Sequence, residues 1–395
     1  MYVFFLLLAL LFLLVVLIGV DLALGRKQSK RRAVNRLIGH KHAFASIFDD
    51  GVTFYEALIR DIKAAQHSVD IQFFLVKWDE PTQQLVELLK QRAQEGIKIR
   101  FLLDRFGGYR LPRKERQLLR DSGVMLRFAN IPSFPYFLYN LNLRNHRKVT
   151  IIDQKSAYIG GFNIGKEYLS KEPRFGFWRD CVVKLEGEAV YTFVQVFASD
   201  WGDPFHILPK QAPAFDGAQI EAVVTEADGY EDWLLHQIHH ARKYLYIGTP
   251  YCVPTRRVEA ALKRASERGV DVRLMVPTKV DHYVVNQVSF HFARRLIQHG
   301  IRINLYQNGF YHAKIVLSDD SWCAVGSANL DGRSLLINKE LTITIRQNDL
   351  FYAQLLALWK KDEQSSIAAS VHDMQKRPWI AKATGILFRP LRNYL

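Results

Sequence analysis

Cysteine is scarce in this chain of 395 residues: Cys181, Cys252 and Cys323 stand far apart, with no paired spacing. That excludes a disulfide framework and a Cys-x-x-Cys zinc site, and it agrees with a reducing compartment. His40, His42 and the pair His239-His240 form no metal pattern with neighbouring carboxylates. No Gly-rich phosphate-cradling loop appears either, so the sequence calls for no metal and no cofactor. Charge is missing from a long stretch at the start of the chain. From Tyr2 to Val20 no residue is ionisable at neutral pH in either sense, and most are Leu, Val, Phe, Ala or Ile. Such a run is long enough to cross a bilayer as one helix. No positive residue precedes it, which favours a membrane span over a cleavable signal peptide.

Positive charge is what the chain has in excess. Lys and Arg number 54 against 39 Asp and Glu, a formal net charge of +15. Arg26, Lys27, Lys30, Arg31, Arg32 and Arg36 cluster just after the apolar run and should hold that end in the cytoplasm, leaving the body of the protein there. A basic body suits an anionic lipid surface, each juxtamembrane cation contributing about 1 kcal/mol near it. Nucleic acid would be attracted as well, but the span favours lipid over polynucleotide as partner.

One phrase occurs twice: His146-x-Lys148-x-x-x-x-Asp153 and His312-x-Lys314-x-x-x-x-Asp319. Each copy runs into an apolar stretch that reads as a buried strand, Lys148 to Asp153 and Lys314 to Asp319. Each is followed by a glycine turn ending in asparagine, Gly160-Gly161-Phe162-Asn163 and Gly326-Ser327-Ala328-Asn329. On a strand, residues i and i+2 share a face, so each His and its Lys are expected to project into one pocket. An imidazole can attack phosphorus or move a proton, and an ammonium offsets charge on phosphoryl oxygens. The Asn amides can donate to the same oxygens. Two facing half-sites would supply one histidine as nucleophile and the other as acid, then base.

These residues resemble the phospholipase D superfamily, and within it the bacterial cardiolipin synthases, most closely the minor forms with one N-terminal membrane segment. Gly160 to Tyr168, Phe177-Trp178-Arg179-Asp180, Thr249 to Pro254, Gly326 to Ser334 and Asn338-Lys339-Glu340 also carry the resemblance. It implies His146 as nucleophile, through a phosphatidyl-histidine, and His312 as general acid and base, an order that the residues themselves leave open. It implies Lys148, Lys314, Asn163 and Asn329 as phosphate holders. An acidic residue is expected behind each imidazole, Asp180 for His146 and Glu340 for His312. Asp153 and Asp319 complete the candidate catalytic set, although their place at the far strand ends suits contacts with backbone or basic neighbours. Departures are Gln72-Phe73-Phe74, Gly107-Gly108 and Lys339. The implied reaction joins two phosphatidylglycerols into cardiolipin and releases glycerol; hydrolysis to phosphatidic acid is the alternative.

Earlier in each half, strand, helix, glycine and strand recur in the same order. Val69 to Leu75, Leu85 to Arg92 and Gly96 to Leu103 are echoed by Tyr244 to Ile247, Val258 to Ser266 and Gly269 to Val276. Alternation of this kind gives an α/β class. The resemblance makes it two phospholipase D-like α/β sandwich lobes about a pseudo-twofold axis, preceded by one transmembrane helix. Residues 1–24 are expected as the membrane anchor, 25–45 as a basic linker, 46–212 as the first lobe and 213–395 as the second. The boundary falls in the breaker-rich Pro209 to Gly217. Ile131 to Tyr139, aromatic and broken by proline, is placed as either an acyl-chain entrance or a packed loop. The tail Trp379 to Leu395 either lies on a bilayer or packs on the body, and Gly385 and Pro390 argue against a long helix there. The sequence assigns no oligomeric state.

Overall fold

The computed structural model describes residues 1–40, 43–203, 220–346 and 349–395. The expected lobe boundary, Pro209 to Gly217, and His42 lie outside the described residues.

Strands β1 (Arg36–His40), β2 (Ala43–Asp50), β3 (Ser68–Phe73), β4 (Lys98–Asp104), β5 (Met125–Ala129), β6 (Val149–Ile152), β7 (Ser156–Gly160) and β8 (Trp178–Gly187) lie in the first half. The second half holds β9 (Ile220–Thr225), β10 (Tyr244–Gly248), β11 (Asp271–Pro277), β12 (Arg302–Tyr306) and β13 (Phe310–Tyr311). After these come β14 (Ile315–Ser318), β15 (Trp322–Gly326), β16 (Glu340–Arg346) and β17 (Ser366–Ala368). Within one sheet the order is β8-β7-β6-β3-β4-β5; within the other it is β16-β15-β14-β10-β11-β12. In both, three parallel strands continue into three antiparallel ones. The identical order makes the two lobes pseudo-symmetric copies.

The buried side chains divide into three clusters, which explains the layering. Val69, Ile71 and Phe101 on the first sheet meet Leu58, Ile62 and Leu89 from helices Gly51–Ala64 and Glu80–Gln94. Leu245 and Leu274 on the second sheet meet Leu262 and Phe292 from helices Arg256–Glu267 and Tyr283–Ile297. The third cluster lies between the lobes, where Val149, Ile151, Ile159 and Val183 join Ile315, Leu317, Val325 and Ile343. Each sheet is therefore covered on both faces, which is why its strands read as nearly continuous apolar runs rather than alternating ones. Removing this apolar area from water, at about 25 cal/mol per Å², is the main force holding the lobes together.

The N-terminal helix covers Tyr2–Arg32, with no buried residue in its apolar stretch. The segment 25–45, expected as a linker, is built otherwise. Helix continues to Arg32, β1 then adds antiparallel to β9 on the edge of the second lobe, and β2 pairs with β8 of the first. Asn35 and Val34 are fixed as well, the Asn35 Oδ1 accepting from the Glu226 amide at 2.7 Å and the Val34 amide donating to Glu226 at 3.1 Å. Unpaired backbone groups on two sheet edges recruited this stretch, a tertiary demand that its basic composition hides.

The tail forms only a short helix, Trp379–Phe388, which ends before Pro390 and is followed by a 3₁₀ turn Arg389–Leu391. Gly385 sits inside that helix because a Cβ there would come within 2.8 Å of the Gln287 carbonyl oxygen on the helix beneath. Its absence permits close helix packing, at the usual cost in helix propensity.

Candidate active site at the lobe boundary

The doubled phrase ends where the sheets meet. Strand β6 begins only at Val149 and β14 at Ile315, so each His and Lys lies in the extended lead-in rather than within the strand. Main-chain bonds to the opposite lobe hold those lead-ins straight. The His312 amide donates to the Arg179 carbonyl at 2.7 Å, continuing the parallel pairing of β13 with β8. The His146 amide donates to the Lys339 carbonyl at 3.0 Å, next to a bridge between Asn145 and Lys339.

The side chains cross over in the same way, contrary to the expected pairing. His146 Nδ1 lies 3.0 Å from both Glu340 oxygens, and His312 Nδ1 lies 2.5 Å from Asp180 Oδ2. The expectation of Asp180 behind His146 and Glu340 behind His312 is therefore corrected: each acid serves the histidine of the other lobe. The reason is positional. Asp180 directly follows the strand end that binds the His312 backbone, and Glu340 directly follows the carbonyl that binds His146. Neither relation is visible along one chain.

Nδ1 must carry the proton facing each carboxylate, so Nε2 is the nitrogen left for chemistry. Both histidines line a cavity of about 970 Å³, together with Asn163, Asn329, Tyr168, Tyr251 and Trp178. Asn163 is oriented by the Leu75 amide, which donates to its Oδ1 at 3.1 Å. Asn329 Nδ2 donates to Asp331 Oδ2 at 2.8 Å. Phe74 stands edge-on to His146 with ring centres 5.1 Å apart, and Trp178 lies 5.0 Å from His312. Such rings fix the imidazole planes and keep water away from them.

The two lysines are less direct than expected. Both are buried, and both turn back to the carbonyl of their own histidine, Lys148 Nζ to His146 at 2.7 Å and Lys314 Nζ to His312. They lie behind the cavity wall. With the Nδ1 proton of His312 directed at Asp180, the Lys314 ammonium 2.7 Å away is a like-polarity neighbour, not a donor to that nitrogen.

Burial lowers the basicity of both imidazoles. At His312 the Lys314 charge adds to it, and the pKa falls to about 4 even with Asp180 opposing. Burial also brings Lys148 to about 7 and Lys314 to about 8. It pushes Glu340 the other way, but His146 and Lys148 outweigh it and hold that carboxyl at about 2. Asp180 is likewise lowered against its burial by Lys314 and His312. The resting pairs are thus neutral imidazole against ionised carboxylate, a nucleophile-ready state.

Asp153 and Asp319 leave the catalytic set. Asp153 accepts from the amides of Gln66, His67 and Ser68 at 2.7–2.8 Å, and Asp319 from those of Arg242, Lys243 and Tyr244 at 2.7–2.9 Å. These amides lead into β3 and β10, at the strand ends away from the histidines. Both aspartates have left-handed backbone, φ 50° and 55°, as the tight turn after each strand requires.

Sequence reasoning missed Asp200. It gathers Arg147 at 2.9 Å, Gln72 at 2.9 Å and Lys339 at 3.0 Å behind His146. In the sequence Gln72 and Lys339 stand out only as departures from the family pattern, yet both bind this carboxylate, whose pKa is held low by Arg147 and Lys339 against its burial. Their unusual identity was the available signal.

The chain matches a family model described as cardiolipin synthase, PLD-like domain, over residues 58–201 and 234–360. It is 33% identical to the minor cardiolipin synthase ClsB of Bacillus subtilis (strain 168), over 96% of each chain. To cardiolipin synthase A of Pseudomonas aeruginosa (strain LESB58) it is 36% identical, over 82% of this chain and 68% of that one. Among solved structures, the phosphatidylserine synthase of Haemophilus influenzae Rd KW20 superposes with a TM-score of 0.73 at 14% identity, over 94% of this chain and 100% of that one. That likeness concerns the fold. With a family model covering both halves and a relative similar over nearly the whole length, the chain belongs to the PLD-like cardiolipin synthase family.

Proposed function

We propose that this chain is a cardiolipin synthase, a phosphatidyltransferase that works by two displacements at one phosphorus. The observation that carries the mechanism is the crossed arrangement, two histidines on one cavity, each with Nδ1 on a carboxylate of the opposite lobe. His146 Nε2 attacks the phosphorus of one phosphatidylglycerol. The bond to the headgroup glycerol breaks, and His312, which takes up a proton from water at Nε2 as the anionic phosphodiester binds, gives that proton to the departing oxygen. A second phosphatidylglycerol then offers a headgroup hydroxyl, His312 takes that proton, and the new oxygen displaces His146 from phosphorus. Cardiolipin and glycerol leave, and both histidines are restored.

Glu340 offers two oxygens to the imidazolium that forms when His146 bonds to phosphorus. The low pKa of His312 makes its imidazolium a strong acid, and an anionic phosphodiester entering the cavity favours its protonation. Lys148 and Lys314 offset phosphoryl charge from behind the wall, and Asn163 and Asn329 face it with neutral amides. The apolar wall of Phe74, Leu75, Trp178 and Val285 supports transfer over hydrolysis, since it disfavours water at the intermediate. The N-terminal apolar helix crosses the bacterial inner membrane once in this reading, with the basic cluster and catalytic body cytoplasmic.

The test is lipid mass spectrometry on the protein in nanodiscs containing phosphatidylglycerol. Cardiolipin plus glycerol is expected, absent from His146→Ala and His312→Ala; phosphatidic acid alone would make the enzyme a phospholipase. A p-nitrophenyl ester of phosphatidic acid, whose leaving group needs no proton, separates the roles. A p-nitrophenol burst in His312→Ala but not His146→Ala is expected, and the converse would exchange nucleophile and acid.

A further inference from the structure

We propose that the cavity mouth docks on the bilayer through three segments in addition to the N-terminal helix. They are the turn after β4, the stretch 131–142 and the C-terminal segment 379–395. This rests on the reading that the N-terminal helix spans the membrane.

The starting point is an exposed apolar surface that packing does not require. Phe134 is 84% exposed and Trp379 74%, and Phe106, Ile131, Leu387 and Leu391 are also largely exposed. Scattered single apolar residues need no explanation, whereas a set borne by segments that all reach one opening does. Phe106, Arg110, Leu141, Asn142, Tyr394 and Leu395 line the catalytic cavity, so the same three segments build its rim. Arg333 fastens two of them side by side: its Nη2 donates to the Asn142 carbonyl at 2.6 Å and its amide to the Leu395 carbonyl at 3.2 Å.

Continuity with the membrane helix decides the occupant. Helix Phe137–Asn142 packs on the N-terminal helix. A Cβ at Gly25 would lie 2.4 Å from Tyr139 Cβ, and Asp21 Oδ1 accepts from the Tyr139 amide at 2.8 Å. Asp21 and Gly25 stand just past the charge-free run, at the level where a spanning helix leaves the hydrocarbon. The stretch 131–142 is therefore held at that level, and its exposed Phe134 and Ile131 with it. Exposed cations stand among the apolar residues, Arg110 over the Tyr109 ring at 5.6 Å and Arg389 close along the chain to Leu387 and Leu391. Aromatic and aliphatic tips with cationic flanks match an anionic headgroup layer over acyl chains. A protein partner would not need this surface to be level with a membrane helix. The consequence for the reaction is that lipid reaches the histidines along the rim with its tails still in the bilayer.

The test places single cysteines carrying an environment-sensitive fluorophore on the full chain in phosphatidylglycerol-containing nanodiscs with nitroxide-labelled lipid. The native Cys181, Cys252 and Cys323 are buried and leave labelling to the introduced thiol. Emission at Phe134→Cys, Trp379→Cys and Leu387→Cys should shift to the blue and be quenched. His67→Cys and Lys243→Cys, at the opposite strand ends, should be unaffected. Quenching at Leu14→Cys reports the span itself. Quenching there without quenching at 134, 379 and 387 overturns the docking and leaves the span standing, whereas no quenching at 14 overturns the span and the docking with it. In a second readout, the double variant Phe134→Ser and Leu387→Ser should turn over long-chain phosphatidylglycerol roughly tenfold more slowly in nanodiscs, the loss expected on withdrawing large apolar side chains from the bilayer. Turnover of a short-chain, monomeric phosphatidylglycerol should be unchanged. Equal loss on both substrates would overturn the docking role.

Discussion

The two half-sites hold their histidines with different acids, and the groups that hold those acids differ to match. Behind His312 stands the shorter Asp180, held by the Cys181 amide at 2.8 Å. Behind His146 stands the longer Glu340, held by Ser327 Oγ at 2.5 Å and Asn338 Nδ2 at 3.2 Å. Gly161 and Ser327 occupy the same place in the two repeats, and the comparison explains why they differ. A Cβ on Gly161 would lie 2.1 Å from Asp180 Oδ1, so the carboxylate occupies the space a side chain would need. In the other half that space receives a hydroxyl, which holds the acid instead. Gly-Gly and Gly-Ser are thus two solutions to one problem, orienting a carboxylate on the partner lobe's imidazole.

The most damaging way to break the comparison is to remove a histidine. His146→Ala and His312→Ala should each lower turnover of phosphatidylglycerol on the order of 10⁴-fold, with the double variant little worse, because the two act as a unit. Additive losses would show that the half-sites work separately. Gly161→Ser, which writes the second repeat's residue into the first, should come next, at roughly 10²-fold or more, because it displaces Asp180 and leaves His312 free to take the wrong tautomer. The reciprocal Ser327→Gly should be far milder, about tenfold, since it deletes one hydrogen bond to a charged group and Asn338 still holds Glu340. Equal losses in the two swaps would refute the asymmetry.

Electrostatics sharpens the same contrast. His312 should titrate near 4 by NMR, and Lys314→Met should raise it, because losing a neighbouring positive charge favours the imidazolium. With Lys148 at about 7 and Lys314 at about 8, turnover should fall as pH rises through that range, the ammonium charges being lost; a rate flat to pH 9 would remove the lysines from charge compensation. The smallest effect on catalysis belongs to Asp153→Ala and Asp319→Ala. Each should lower stability by about 1–3 kcal/mol in denaturant titration, by stranding strand-leading amides, while turnover per folded molecule stays unchanged.

Much of this was legible in the chain. The doubled phrase gave both histidines, both lysines and both asparagines, because residues serving one small site on a repeated unit must recur at fixed spacing. Alternating strands and helices gave the α/β class for the same local reason. The helix Phe137–Asn142 was not legible, since proline and aromatic residues at 131–139 hid a turn that forms by packing on the N-terminal helix. Strand β1 was hidden too, in a stretch whose charge suggested only a linker.

The sequence by itself determined which groups could do the chemistry and that there are two sets of them, because residue type and spacing are properties of the chain. Only the tertiary structure decided which acid serves which histidine, that the lysines stand behind the wall, and that Asp153 and Asp319 hold strands rather than substrate. Those outcomes depend on which strand ends meet across the lobe boundary. Pairings of Asp180 with His312 and of Glu340 with His146, separated by more than a hundred residues, leave no local mark in the chain.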